Sequence, residues 1–86
     1  MQTVEVRPSG QWWIVKSDGL SAPLMFSSGA RAERTARQIA LAWAANGADA
    51  LLDVRTRPGD GYRFLCQPGP ERSAPCFRAL PERFPN

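Results

Sequence analysis

The chain has 86 residues, of which 43% are hydrophobic and 22% charged, as in a small globular protein with one core. No apolar run approaches the roughly 20 residues that span a bilayer, so we expect no membrane insertion. The net charge of +3 is carried almost wholly by arginine, which is typical of nucleic-acid binding but also of a GC-rich genome. The start MQTVEVRP lacks a basic segment followed by an apolar one, so we expect a cytoplasmic location.

The first predicted element is a β-hairpin. Residues 3–7 (TVEVR) alternate apolar and polar, residues 8–10 (PSG) are turn formers, and residues 12–16 (WWIVK) are rich in β-formers. Successive side chains of a strand point to opposite faces, so Trp12 and Trp13 cannot both enter one small core. A two-residue Ser-Gly turn directs the second tryptophan inward, and a three-residue turn directs the first inward. In either case the hairpin exposes one tryptophan.

The middle of the chain predicts a short strand followed by a helix. Residues 24–26 (LMF) are interpreted as a third strand, which the preceding proline restricts to a sheet edge or a strand start. Ser27 or Ser28 is the expected N-cap of a helix over residues 30–46, and Gly47 suits its left-handed C-terminal cap. The predicted core stripe, with Arg31, Arg34 and Arg37 on a solvated flank, is Ala32, Ala36, Ile39, Ala40 and Trp43.

A second hairpin is predicted after the helix. Residues 50–57 (ALLDVRTR) run into a PGDG turn, and residues 62–67 (YRFLCQ) return from it. A three-residue loop with Gly61 left-handed would pair Thr56 with Phe64, Val54 with Cys66 and Arg57 with Arg63. The face predicted to lie under the helix is then Leu52, Val54, Thr56, Tyr62, Phe64 and Cys66, and the opposite face is Asp53, Arg55, Arg57, Arg63 and Leu65.

The composition changes after residue 67. Five prolines punctuate residues 68–86, which excludes a regular helix or a central strand there. We therefore predict a domain over residues 1–67 and a Pro-rich tail over 68–86, which is either docked on the domain through Phe77, Leu80 and Phe84 or partly disordered.

Catalytic and metal sites are not predicted. The chain has no histidine, and no cysteine or carboxylate stands at a spacing that pairs a nucleophile with a base. Cys66 and Cys76 alone cannot form a four-ligand zinc site. They would form a disulfide in an oxidising setting, whereas in a reducing cytoplasm we expect Cys66 buried and Cys76 as a thiol. We expect a non-enzymatic protein without metal or cofactor.

The order of these motifs resembles a small bacterial family known only as a domain of unknown function, of the 2188 type. The resemblance covers about residues 4–64 and is carried by Trp13 and Val15, by the Ala-Arg-Gln-Ile-Ala helix segment at 36–40, by Gly47-Ala48, and by Gly61-Tyr62. It implies a single small α+β domain of ββαββ type, with one helix packed on an antiparallel sheet. It also implies that Trp13 and Val15 enter the core opposite Val4 and Val6. The additional Trp12 and the tail depart from the family pattern.

The sheet face opposite the helix is the candidate binding face: Trp12, Ile14, Arg55, Arg57, Arg63 and Leu65. Three hypotheses compete for it. The tail covers it, or it binds a protein partner or a second copy of the chain, or its arginines hold phosphates while the tryptophan stacks on a base. Like charges at Arg57 and Arg63, if directly opposite, would favour an anion or an acidic group between them. The main prediction is a non-catalytic protein-binding module, with nucleic-acid binding as the alternative; the order of elements is also similar to small DNA-binding modules with a three-stranded sheet.

Overall fold

The structure is a computed structural model that describes residues 1–57, 60–69 and 76–79. These residues form six strands and one helix. The elements are β1 (Gln2–Ser9), β2 (Trp12–Ser17), β3 (Leu24–Phe26), α1 (Gly29–Ala45), β4 (Ala50–Arg57), β5 (Asp60–Gln67) and β6 (Cys76–Ala79). The predicted α+β class, with one helix packed on a single sheet and a short extra strand at residues 24–26, is confirmed.

The sheet is mixed, in the strand order β3-β2-β1-β4-β5-β6. All neighbouring strands are antiparallel except the central pair, β1 and β4, which is parallel. The sequence predicted an antiparallel sheet, which is wrong for the β1–β4 pair. The reason is that α1 lies between β3 and β4 in the chain. The chain leaves β3, passes through α1 over one face of the sheet, and returns beside β1 in the same direction, as a helical crossover requires.

Alanine makes the helix side of the core thin. The helix residues that are fully or almost fully buried are Ala32, Ala36, Ala40 and Ala44, which recur every four residues. They lie on valines and a leucine of the central strands: Val4, Val6, Val15, Leu52 and Val54. Ile39 and Trp43, which the sequence placed in the same stripe, are only partly buried at its side. Small side chains let the helix axis approach the sheet closely, which leaves larger residues at the edges of the contact.

Both ends of the helix are capped as the sequence predicts. Ser28 is the N-cap, and its Oγ accepts a hydrogen bond from the Arg31 N–H at 3.4 Å. Gly47 has φ +90°, the left-handed conformation expected beyond the C-terminus. The arginine flank differs from the prediction at one position, because the Arg37 guanidinium lies 5.1 Å from the ring centroid of Phe64 and is half-buried there.

The first hairpin keeps the predicted faces but shifts the turn. Ser9 pairs with Trp12, so the loop residues are Gly10 and Gln11 rather than Ser9 and Gly10. Gly10 has φ +62°, which suits a tight hairpin turn. The shift moves the register by two residues, so Val15 lies opposite Val6. An even shift preserves the side-chain faces, and the inward position of Val15 is confirmed.

The predicted register of the second hairpin is wrong by four residues. Val54 pairs with Tyr62 rather than with Cys66, and Gly61 lies inside β5 opposite Arg55 rather than in a left-handed loop position. The pairing is irregular between Arg55 and Arg57, while residues 58–59 lie outside the described part. The even shift again preserves the faces, and Cys66 is buried as expected.

One strand lies within the predicted tail. β6 pairs antiparallel with β5, placing the backbone of Phe77 opposite Cys66 at the end of the sheet order. A strand at the end of the order tolerates prolines on either side, because only one of its edges is paired. Leu80 and Phe84 lie outside the described residues, as does the predicted docking of the tail beyond β6; the side chain of Cys76 is likewise not described.

Candidate functional site

Strand alternation places a distinct set of side chains on the sheet surface opposite α1, which we call the outer face. Val4, Val6 and Val15 point to the helix, so the residues between them point away from it. In the described part of the chain no helix packs on this side. The outer face comprises Glu5, Arg7, Trp12, Ile14, Lys16, Met25, Leu51, Asp53, Arg55, Arg63 and Leu65.

One end of the outer face is apolar, and we call it the tryptophan patch: Trp12, Ile14 and Met25. Trp12 and Ile14 are alternate residues of β2, and Met25 is the direct partner of Ile14 on β3. Trp12 is 48% exposed and Met25 58% exposed, while Ile14 between them is partly buried. An exposed indole beside an exposed thioether forms an apolar surface of the kind that marks interaction sites.

The second tryptophan of the pair, Trp13, has a structural position. Trp13 points to the helix side and packs at the helix N-terminus, where its ring approaches Gly29. A Cβ added at Gly29 would lie 2.9 Å from Cε2 and Cζ2 of this indole. The inward Trp13 and the outward Trp12 are therefore as the two-residue turn and the family resemblance predict.

The centre of the outer face is an ionic network built around Glu5. Its Oε1 lies 3.8 Å from Arg7 Nε, and its Oε2 lies 3.9 Å from Arg55 Nε. One carboxylate thus faces two guanidinium groups, at distances longer than those of strong hydrogen bonds. Glu5 is also the parallel-strand partner of Asp53, so two acidic residues stand side by side in the middle of the sheet. Arginines on both sides offset the repulsion between the two carboxylates.

Asp53 is the most buried charged residue of this network, at 8% exposure. Its Oδ1 accepts a hydrogen bond from Arg63 Nε at 3.1 Å, across the β4–β5 pair. Burial raises the pKa of Asp53 above its ordinary value, and the nearby Arg63 and Arg55 guanidinium groups offset part of that rise. The register also corrects the sequence prediction, because Arg63 faces Asp53 and not Arg57. The like-charge argument for a bound anion between those two arginines is therefore wrong.

The structure brings five of the six predicted site residues onto one face, although not into one cluster. Trp12 and Ile14 lie in the tryptophan patch, Arg55 and Arg63 belong to the ionic network, and Leu65 pairs with Leu51 beyond it. The backbone of Arg57 is in β4, but its side chain lies outside the described part. Sequence reasoning missed Glu5, Arg7, Lys16, Met25 and Leu51 as members of this face. The alternation of TVEVR indicates two of them, because Glu5 and Arg7 must point away from the buried valines.

A second surface feature lies on the helix side. A groove of about 330 Å³ runs between the β2–β3 loop and the C-terminal half of α1, with Leu20, Ile39 and Trp43 in its wall. Its polar groups already have partners, since Asp18 Oδ2 accepts from the Thr3 N–H at 2.8 Å and Asn46 Nδ2 donates to the Ala42 carbonyl at 2.8 Å. Nothing in the described lining therefore selects a ligand.

Within the described residues, no three histidine, cysteine or acidic side chains are grouped as metal ligands. No helix in that part of the chain is long and apolar enough to cross a membrane. Comparison of the chain with protein-family models, with curated proteins and with solved structures finds no match in any of the three. The family resemblance stays a prediction.

Proposed function

We propose that this protein is a small non-catalytic binding module whose outer face docks on a protein surface. The observation that carries the proposal is the placement of Trp12 and Met25, which are about half exposed on a sheet surface that α1 does not cover. Burying an apolar surface of this kind is the main favourable term in protein association, at about 25 cal/mol per Å².

The composition of the outer face supports the same function. Tryptophan and arginine are the residues most enriched among those that dominate binding energy, and both are present in the described part of this face. The tryptophan patch would supply the desolvated centre of the contact, and the ionic network would supply its polar rim. Either a second copy of this chain or a different protein would bury the tryptophan patch in such a contact.

Site-specific photo-crosslinking in cells tests the proposal. A benzoylphenylalanine is introduced at Met25 on the outer face, and the matched control carries it at Gln38, which is exposed on the helix. Neither position belongs to the buried core, so both variants should fold. We expect covalent adducts from the Met25 variant that the Gln38 variant does not give.

The adduct mass separates the occupants. An adduct of twice the mass of the chain identifies homodimerisation, whereas another mass identifies a different protein. The proposal is contradicted if irradiation of the Met25 variant gives no adduct, or gives only those that the Gln38 variant also gives.

Nucleic-acid binding is the second candidate. It is favoured by the excess of basic over acidic side chains on the described outer face, where Arg7, Lys16, Arg55 and Arg63 outnumber Glu5 and Asp53. The two carboxylates weigh against it, because each occupies a guanidinium that a phosphate would need. Fluorescence anisotropy with a mixed-sequence DNA duplex tests it, and real binding would weaken steeply as salt rises.

A further inference from the structure

Two basic side chains, Arg7 and Lys16, border the tryptophan patch on the side nearer the central strands of the sheet. Arg7 is the direct cross-strand partner of Ile14, and Lys16 lies two residues after Ile14 on the same face of β2. Both basic side chains are exposed, and the fractional exposure of the Arg7 side chain is 45%. An occupant that packs on the patch would therefore approach two positive charges.

These two cations are poorly neutralised within the described chain. Lys16 has no carboxylate oxygen within 4.0 Å among the described residues, although its backbone lies opposite that of Glu5 in the β1–β2 register. Arg7 shares the Glu5 carboxylate with Arg55 and contacts it only at 3.8 Å. The second acidic residue, Asp53, is held by Arg63 at 3.1 Å. Within its strands the described outer face thus carries four basic and two acidic side chains, and Asp18, which directly follows β2, adds a third carboxylate that lines the same surface depression as Lys16 and Glu5.

We propose that the occupant of the outer face is an acidic protein segment that carries an apolar anchor. The anchor packs on Trp12, Ile14 and Met25 while flanking carboxylates meet Arg7 and Lys16. This inference rests on the proposed function and specifies the chemistry of the partner. Opposite charges across an interface speed the encounter and select the partner, and the apolar contact supplies most of the affinity.

The same charges argue against the other two occupants. A second copy of the chain brings the same basic side chains on the described part of this face and a net charge of +3, so face-to-face association would be opposed by repulsion. A nucleic acid would leave Met25 and Ile14 without an apolar partner and would place phosphates near Glu5. An acidic, partly apolar segment satisfies both parts of the surface.

Selection from a random peptide library displayed on phage tests the partner chemistry. The full-length protein is the bait, and selected peptides are then measured by fluorescence anisotropy. We expect peptides richer in Asp and Glu than the unselected library, with an aromatic or aliphatic residue among the acids. Trp12→Ser should weaken their binding by about tenfold or more, as for a central anchor.

Charge neutralisation provides the matched variants. Arg7→Gln and Lys16→Gln should each weaken binding about two- to fivefold, as expected for exposed ion pairs of up to about 1 kcal/mol. Arg34→Gln removes the same charge from an exposed position on the helix and should leave the affinity unchanged. Thermal unfolding of every variant establishes that the fold is intact.

The outcomes separate this inference from the proposed function. Peptides that depend on Trp12 but carry no acidic enrichment, or that bind Arg7→Gln and Lys16→Gln as well as the original protein, would overturn the acidic partner and leave the protein-binding face in place. Peptides that bind the Trp12→Ser and Met25→Ser variants as tightly as the original protein would contradict both the acidic partner and the protein-binding face. A DNA duplex that binds and loses affinity in Lys16→Gln, with no peptide selected, would replace the acidic segment with a nucleic acid.

Discussion

Trp12 and Trp13 show how strand alternation separates two identical neighbours into a structural and a candidate functional residue. Trp13 lies on the helix side, where it packs against Gly29 at the first turn of α1. Trp12 stands on the other face with 48% of its surface exposed. The difference follows from the parity of the hairpin register alone. A one-residue slip of β2 would exchange the two roles and turn Val15 out of the core.

The contact between Trp13 and Gly29 yields the first prediction. Gly29→Ala places a Cβ 2.9 Å from two ring carbons of Trp13, so the indole must move. We expect a loss of about 1–3 kcal/mol in the free energy of unfolding, although alanine favours helix more than glycine does. Urea denaturation measures the loss.

The double variant gives the control for this prediction. Phenylalanine at position 13 removes the second ring of the indole, so Gly29→Ala should cost much less in the Trp13→Phe background. Equal costs in both backgrounds would show that the clash does not limit stability.

Asp53 yields the second prediction at this scale. Burial raises its pKa, and Arg63 and Arg55 lower it in part. We expect a carboxyl-carbon NMR titration to place its midpoint above the ordinary aspartate value of about 3.9, and Arg63→Gln to raise it further. Arg34→Gln, which removes a distant charge, should leave the midpoint in place. A midpoint below the ordinary value would contradict the desolvation argument.

The sign of the effect on stability follows from proton linkage. Between the unfolded and folded pKa values of Asp53 the folded chain binds more protons, so the contribution of this residue to stability falls as pH rises through that window. The stability advantage of the original protein over Asp53→Asn should therefore shrink as pH increases from about 3.9 towards the folded pKa. An advantage that grows over this range would show that the Arg63 interaction outweighs burial.

At the scale of elements, the helix N-cap yields a prediction. The sequence left open whether Ser27 or Ser28 is the cap. Ser28 Oγ accepts the Arg31 N–H, whereas Ser27 is an exposed neighbour. Ser28→Ala should lower the free energy of unfolding by about 1 kcal/mol, and Ser27→Ala should change it by less than about 0.5 kcal/mol. Chemical denaturation of the pair measures both. Equal effects would remove Ser28 as the functional cap.

The elements that were predictable from the sequence are those with local signals. The helix follows from its serine cap, its four-residue alanine spacing and Gly47, and the strand faces follow from alternation in TVEVR and ALLDVRTR. Register was not predictable, because hydrophobic alternation determines only parity. In each hairpin the observed register differs from the expected one by an even number of residues. The faces were therefore right while the cross-strand partners were wrong.

The same distinction applies to the candidate site. Strand parity placed Arg55 on the outer face, while for Trp12 and Ile14 parity left two turn lengths open and the family resemblance favoured the outer position; all three lie there. The partner of Arg63 depends on register, and the sequence predicted Arg57 where the structure has Asp53. The contact of Glu5 with Arg55 depends on the parallel pairing of β1 with β4. No local pattern encodes a contact between strands so far apart in sequence.

At the scale of the whole molecule, the central position of β1 and β4 predicts where the fold is most resistant to opening. Each of these strands has a paired neighbour on both sides, and together they carry Val4, Val6, Leu52 and Val54 of the core. Their amides should exchange hydrogen only through global unfolding, whereas amides of the three-residue strand β3 should exchange faster. Hydrogen exchange followed by NMR measures this ranking. Protection of β3 equal to that of β1 would contradict it.

The parallel β1–β4 pair has a consequence for the nascent chain on the ribosome. The first hairpin can form as soon as it emerges, but the second edge of β1 has no partner until residues 50–54 arrive. At about 5–20 residues per second, the intervening loop, β3 and α1 take a few seconds to synthesise. During that time the backbone edge of β1 is an open template for other strands. Charged side chains on an open strand edge disfavour pairing with other chains, so we expect Glu5 and Arg7 to lower the tendency of this exposed edge to aggregate.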